Sequence, residues 1–115
     1  MRKEIKPRRL AAGEDAAKWR EAFQRYLRTE CSLAENSVAA YERDLRHFFD
    51  WLAGRRIAGL TVSELAGYPA WLASQELAPA SISRHVVSLK VFFRYLQLEG
   101  VLGDNQAELL GTQKL

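Results

Sequence analysis

The sequence predicts an all-α fold of four to five helices, arranged as two helical hairpins packed orthogonally across each other. Three observations predict it. Apolar residues recur at helical period in three segments. No segment sustains the apolar–polar alternation of a strand. Two of the helical segments align without gaps with five identical residues, an internal repeat rather than the chance similarity of two amphipathic helices.

Residues 1–15 read as a basic arm, with Arg2, Lys3, Lys6, Arg8 and Arg9 clustered among the breakers Pro7 and Gly13. Such an arm is either a frayed terminus or a tail that adds phosphate contacts. A first helix is expected over residues 15–30, where Trp19, Phe23 and Leu27 recur every four residues with Ala22 and Tyr26 beside them. Residues 31–34 interrupt the pattern. A second helix follows over residues 35–53, its stripe made of Val38, Tyr41, Leu45, Phe48, Phe49 and Leu52, with Gly54 as a left-handed stop. Ser32 and Glu35 have capping-box spacing at its start, with Asn36 or Ser37 as competing starts.

A third, shorter helix starts at Thr61, which again stands three residues before a glutamate, Glu64. Gly67 and Pro69 are expected to kink or split it, because proline lacks a donor N–H and clashes with the preceding turn. Pro79 suits the first position of a fourth helix over residues 79–99, which Gly100 stops. Its stripe is Ile82, Val86, Leu89, Phe92, Phe93 and Leu96. A last short helix is expected near residues 104–110, with Asp104 as its N-cap and Gly111 ending it.

Residues 37–52 (SVAAYERDLRHFFDWL) align without gaps on residues 81–96 (SISRHVVSLKVFFRYL), with one Ser, two Leu and the Phe-Phe pair identical. Each copy is the second helix of a helical hairpin. Neither helix buries its stripe alone, so the hairpins need each other.

Composition bounds the function. A chain of 115 residues makes one ordinary domain, and 48% hydrophobic residues suffice for a real core, which argues against intrinsic disorder. The net charge of +3 permits a polyanion partner without requiring one. A single cysteine, Cys31, excludes an internal disulfide framework and a Cys-cluster zinc site, and fits a reducing compartment. No stretch approaches the roughly 18–20 apolar residues of a membrane span, and no apolar run follows the basic N-terminus as a secretory signal would require. There is no Gly-rich phosphate loop, HExxH or GxSxG.

Catalysis finds little support. His47 and His85 are the only neutral-pH bases, neither is spaced as a metal-ligand pair, and His47 reads as a helix-surface residue. Neither a cofactor nor a metal is expected. Binding finds more. The second helix is net acidic, with Glu35, Glu42, Asp44 and Asp50 against Arg43 and Arg46. The fourth carries Arg84, Lys90 and Arg94 and no acid until Glu99. At about 100° per residue, Ser81, Arg84, His85 and Ser88 share one face that is polar and free of carboxylates. Such side chains reach phosphates and base edges, although an ordinary solvated face has the same composition. Asn36 and Ser37 lie where exposed N–H groups and the positive end of a helix dipole can grip a phosphate, or where they simply cap.

The run Ala34-Glu35-Asn36-Ser37-Val38, then Tyr41, Asp44-Leu45, Phe48 and Trp51-Leu52, followed by Ser81-Ile82-Ser83-Arg84, Leu89-Lys90 and Phe92-Phe93-Arg94-Tyr95-Leu96, resembles the SAM-like N-terminal core-binding domain of tyrosine recombinases, the Xer-type recombinases and phage integrases. The likeness covers residues 19–115. It implies a non-catalytic DNA-binding domain over residues 16–111 that clamps one face of a recombination half-site, with residues 112–115 opening a linker to an absent catalytic domain. It implies a double-stranded DNA partner contacted by Asn36, Ser37 and Arg43 on one helix, and by Ser81, Ser83, Arg84, His85, Ser88 and Lys90 on another. It further implies other recombinase protomers in a tetrameric synapse, a cytoplasmic, nucleoid-associated setting, and a monomer when the domain is isolated. Arg20, Arg25 and Arg28 on the first helix are candidates for the contacts between protomers, or form a plain solvent face, which charge usage favours. Tyr26, Tyr41, Tyr68 and Tyr95 are then core or surface residues, not nucleophiles. Ala34 stands where serine is usual, Gln106 where proline often follows asparagine, and Pro69 is unexpected in the third helix. The rival reading is a helical protein-interaction module that does not bind DNA.

Overall fold

The computed structural model describes residues 14–110, and every regular element among them is helical. The basic arm up to residue 13, Gly111 and the linker lie outside the described residues. The order is α1 (Glu14–Thr29), α2 (Glu35–Leu52), a 3₁₀ turn (Ile57–Gly59), α3 (Val62–Leu65), α4 (Gly67–Ser74), α5 (Pro79–Leu98) and a final 3₁₀ turn (Gln106–Leu109). α2 and α5 form the central pair. α1 packs on α2, α4 covers both central helices, and the last 3₁₀ turn closes over α5 and α3.

The repeat explains the central pair. Phe48 lies against Phe93 and Phe49 against Phe92, both with ring centroids 5.8 Å apart and steep interplanar angles. In the aligned copies Phe48 corresponds to Phe92 and Phe49 to Phe93. The contacts are therefore reciprocal, as a two-fold relation between the copies requires. Asp44 and Ser88 also occupy matching positions, and they meet in a 2.7 Å hydrogen bond. Phe23 of α1 fits edge-on against Phe92 at 5.1 Å, and Tyr68 of α4 against Phe48 at 5.6 Å, so aromatic packing knits four helices into one core.

The helix ends show which local signals operate. Thr61 and Glu64 form the expected capping box. The third helix is split, as Gly67 and Pro69 suggested: Pro69 sits in the first turn of α4, where its missing N–H has no intrahelical partner to lose. Pro79 opens α5. At the other end Gly100, with φ 79°, forms a Schellman stop in which the Val101 and Gly100 N–H groups donate to the Leu96 and Gln97 carbonyls.

Three boundary expectations are corrected. Ser32 makes no capping box with Glu35, because Ser32 is itself left-handed (φ 54°) and Glu35 accepts instead from Arg28. α2 begins after Ala34, which has no side-chain cap. At its end Gly54 is left-handed as expected (φ 81°), but the left-handed region is entered one residue earlier, at Ala53 (φ 50°). In the last turn the cap is Asn105, not Asp104. Asn105 Oδ1 accepts from Glu108 N while its Nδ2 donates to the Lys90 carbonyl, and this tie to α5 selects the residue.

Candidate nucleic-acid interface

The N-terminal halves of α2 and α5 flank an open groove of about 210 Å³, lined by Ser37, Ala40 and Tyr41 from one helix and Arg84 and Val87 from the other, with Asp44 and Ser88 at the seam. Arg84 reaches across it. Its Nη2 donates to Asp44 Oδ1 at 2.8 Å and its Nε to both carboxylate oxygens at 3.2–3.3 Å, while Ser88 Oγ donates to Oδ2 at 2.7 Å. Burial would raise the Asp44 pKa, but the hydrogen bonds from Arg84 and Ser88 outweigh it and hold the carboxyl below its ordinary value. The same bond raises the Arg84 pKa. The asymmetry matters, because the Asp44 side chain is 4% exposed and that of Arg84 56%. The carboxylate is fixed in the interior, and the guanidinium stands in the open on top of it.

Beside this pair His85 is buried. Its Nδ1 donates to the Ser81 carbonyl at 2.7 Å, since a carbonyl can only accept; its Nε2 then accepts from Nδ1 of His47 at 3.3 Å. Desolvation pushes the His85 pKa down, against the opposing effects of the Ser81 carbonyl and Asp44.

This geometry corrects the expected face on α5. Ser81, Arg84, His85 and Ser88 do cluster, but His85 and Ser88 are buried, and a carboxylate lies among them, contributed by α2. A wheel drawn for one helix cannot contain a neighbour's Asp44. His47, expected on the surface, is half-buried with its ring 4.8 Å from that of His85. Asn36, Ser37, Arg43 and Arg84 are exposed; Ser81, Ser83 and Lys90 are half-buried. Asp44 is the member of this cluster that sequence reasoning missed. Its position opposite Ser88 in the repeat was the available signal.

The charge balance of α2 also changes. Glu35 is paired with Arg28, Glu42 with Arg20, and Asp44 with Arg84. Arg20 additionally lies 4.8 Å over the Phe49 ring. Arg20 and Arg28, candidates for contacts with other protomers, are therefore paired with α2 carboxylates within the fold. Three of the four acids that made α2 look acidic are thus neutralised from within the fold. Arg43 and Arg46 remain exposed and pair with no described residue. Among the described residues no group of three His, Cys, Asp or Glu is placed to hold a metal. The arrangement offers guanidinium, hydroxyl and amide donors along one edge, which is the chemistry of holding an anion.

The family model for the phage integrase N-terminal SAM-like domain matches residues 21–100. The chain belongs to this family. The integrase N-terminal domain is 34% identical over 97 residues to tyrosine recombinase XerD of Vibrio cholerae, covering 83% of this chain and 32% of that protein. It is 36% identical over 100 residues to tyrosine recombinase XerC of Shewanella amazonensis, covering 87% and 34% respectively. It thus spans about a third of the length of these recombinases. The crystal structure of the N-terminal domain of a phage integrase/site-specific recombinase from Haloarcula marismortui superposes with a TM-score of 0.77 at 20% identity, covering 91% of this chain and 98% of that one. That likeness establishes the all-helical fold. Domains of this family are not the catalytic part of the recombinases that carry them. None of the described helices is long and apolar enough to cross a membrane.

Proposed function

We propose that the chain is the core-binding domain of a site-specific tyrosine recombinase and lays the α2–α5 edge on the sugar–phosphate backbone of a recombination half-site. Arg84, anchored at its root and open at its tip, is the observation that carries this reading. Asn36, Ser37 and Arg43 approach from α2, and Ser81, Ser83, Arg84 and Lys90 from α5. His85 and Ser88 support that surface from beneath it. Residues 16–111 act as the DNA-binding unit, and residues 112–115 lead toward a catalytic domain that cuts and rejoins the strand. DNA and other recombinase protomers are the partners, which places the protein at the nucleoid in the cytoplasm.

Docking is electrostatic. If Arg43, Arg46, Arg84 and Lys90 each neutralise one phosphate, affinity for duplex DNA falls about 100-fold between about 50 and 200 mM salt. Fluorescence anisotropy with a labelled duplex measures this, and salt-independent binding would sink the reading. A protein-docking role has one observation in its favour, the exposed Val87 on the groove rim. Amide shift changes on adding duplex that avoid both Asn36 and Arg84 would favour that role instead.

A further inference from the structure

We infer that Asp44 is a positioning residue for DNA: through its fork of hydrogen bonds with Arg84 it aims the free edge of that guanidinium at a phosphate of the bound backbone. The inference rests on the DNA-binding reading above. Arginine has five N–H donors in one plane. Nε and Nη2 each spend one on Asp44, so three remain on the edge turned away from the carboxylate. Ser88 fixes the second carboxylate oxygen, so Asp44 is itself immobilised, and its burial leaves it no alternative rotamer in solvent.

Stability alone does not account for this pair. A half-exposed arginine gains little net energy from a salt bridge, and a buried carboxylate is costly where an apolar side chain of similar size would fit. What the pair supplies is order. An arginine that is free before binding loses rotamer freedom when it grips a phosphate, whereas one already held loses little. The counter-effect is repulsion between the Asp44 charge and the phosphate. The two effects separate by salt: the repulsion is screened, and the pre-ordering is not.

The test is a double-mutant cycle on the chain, read by anisotropy with a labelled duplex of about 30 base pairs at low and moderate salt. Arg84→Ala is expected to weaken binding about 10-fold and to lower the salt slope by about one phosphate. Asp44→Asn, with helical circular dichroism retained, is expected to weaken it about 5-fold, the gap widening at the higher salt. In the Arg84→Ala background Asp44→Asn is expected to cost no affinity, and at low salt to restore a little of it as the repulsion is lifted. Tighter or unchanged binding by Asp44→Asn, or losses that simply add in the double variant, would overturn the positioning role and leave DNA binding intact. If Arg84→Ala loses nothing, the DNA-binding reading fails at this residue instead. Should Asp44→Asn not fold, Ser88→Ala reads the same grip: a loss of about 2-fold that vanishes in the Arg84→Ala background supports the inference, and no loss overturns it.

Discussion

The two ends of the α2–α5 pair are built from the same repeat and behave in opposite ways. At the aromatic end the copies agree, and Phe48–Phe93 and Phe49–Phe92 close a symmetric apolar core. At the groove end the copies differ. Asp44 stands opposite Ser88, and Arg84, His85 and Val91 occupy the positions that Ala40, Tyr41 and His47 hold in the first copy. Symmetry serves packing, because matched apolar shapes interdigitate. Where matched positions meet, as Asp44 and Ser88 do, two identical carboxylates would repel, so this hydrogen bond needs the copies to differ. The candidate site lies where the repeat breaks.

The largest expected effect tests the aromatic end. Phe48→Ala removes a fully buried ring and is expected to cost about 3–5 kcal/mol in denaturant unfolding. Phe49→Ala, one residue along but half-buried, should cost clearly less. Equal costs would contradict the assigned core.

Acid tests the groove end. The folded-state pKa of His85 is depressed below its ordinary 6.5, so the unfolded chain binds the proton more readily. Stability is therefore expected to fall as pH drops below about 6.5, until the folded-state pKa is passed. Asp44, whose folded-state pKa is depressed below 3.8, loses its contribution only in more acid solution, as pH falls through that depressed value. Thermal unfolding between pH 7 and 5 reads the first step, and His85→Leu should flatten it. An unchanged profile in that variant would show that another group is responsible.

Two small gains are expected at the ends of α2. Ala34→Ser supplies the missing cap at the groove end, since Ala34 already has extended N-cap backbone, and should add about 1 kcal/mol. Ala53→Gly at the aromatic end relieves a left-handed alanine and should add about 0.5–1 kcal/mol. Urea midpoints measure both. A gain from Ala34→Ser with unchanged DNA affinity would separate helix capping from phosphate contact at this terminus.

Much of the fold was legible because its signals are local. The stripes of α1, α2 and α5, the Thr61–Glu64 box, the break near Pro69 and the Gly100 stop each depend on residues within a turn or two. The errors fall where a local signal meets a competitor on another helix: Glu35 is claimed by Arg28 of α1, and the last cap is settled by the Lys90 carbonyl of α5. In the candidate site, Ser81, Arg84, His85 and Ser88 were legible as a group. Their burial, the His47–His85 contact and the role of Asp44 were not, because Asp44 and Arg84 are 40 residues apart in sequence.

Helical periodicity, the duplicated segment and the scarcity of strand signals were enough to determine an all-α chain of paired hairpins, since each reflects which side chains one helix turns to the same side. Which charges cancel and which stay open was decided only by tertiary packing. Charge pairing depends on distance in space, and the chain order that sets the helices does not record it.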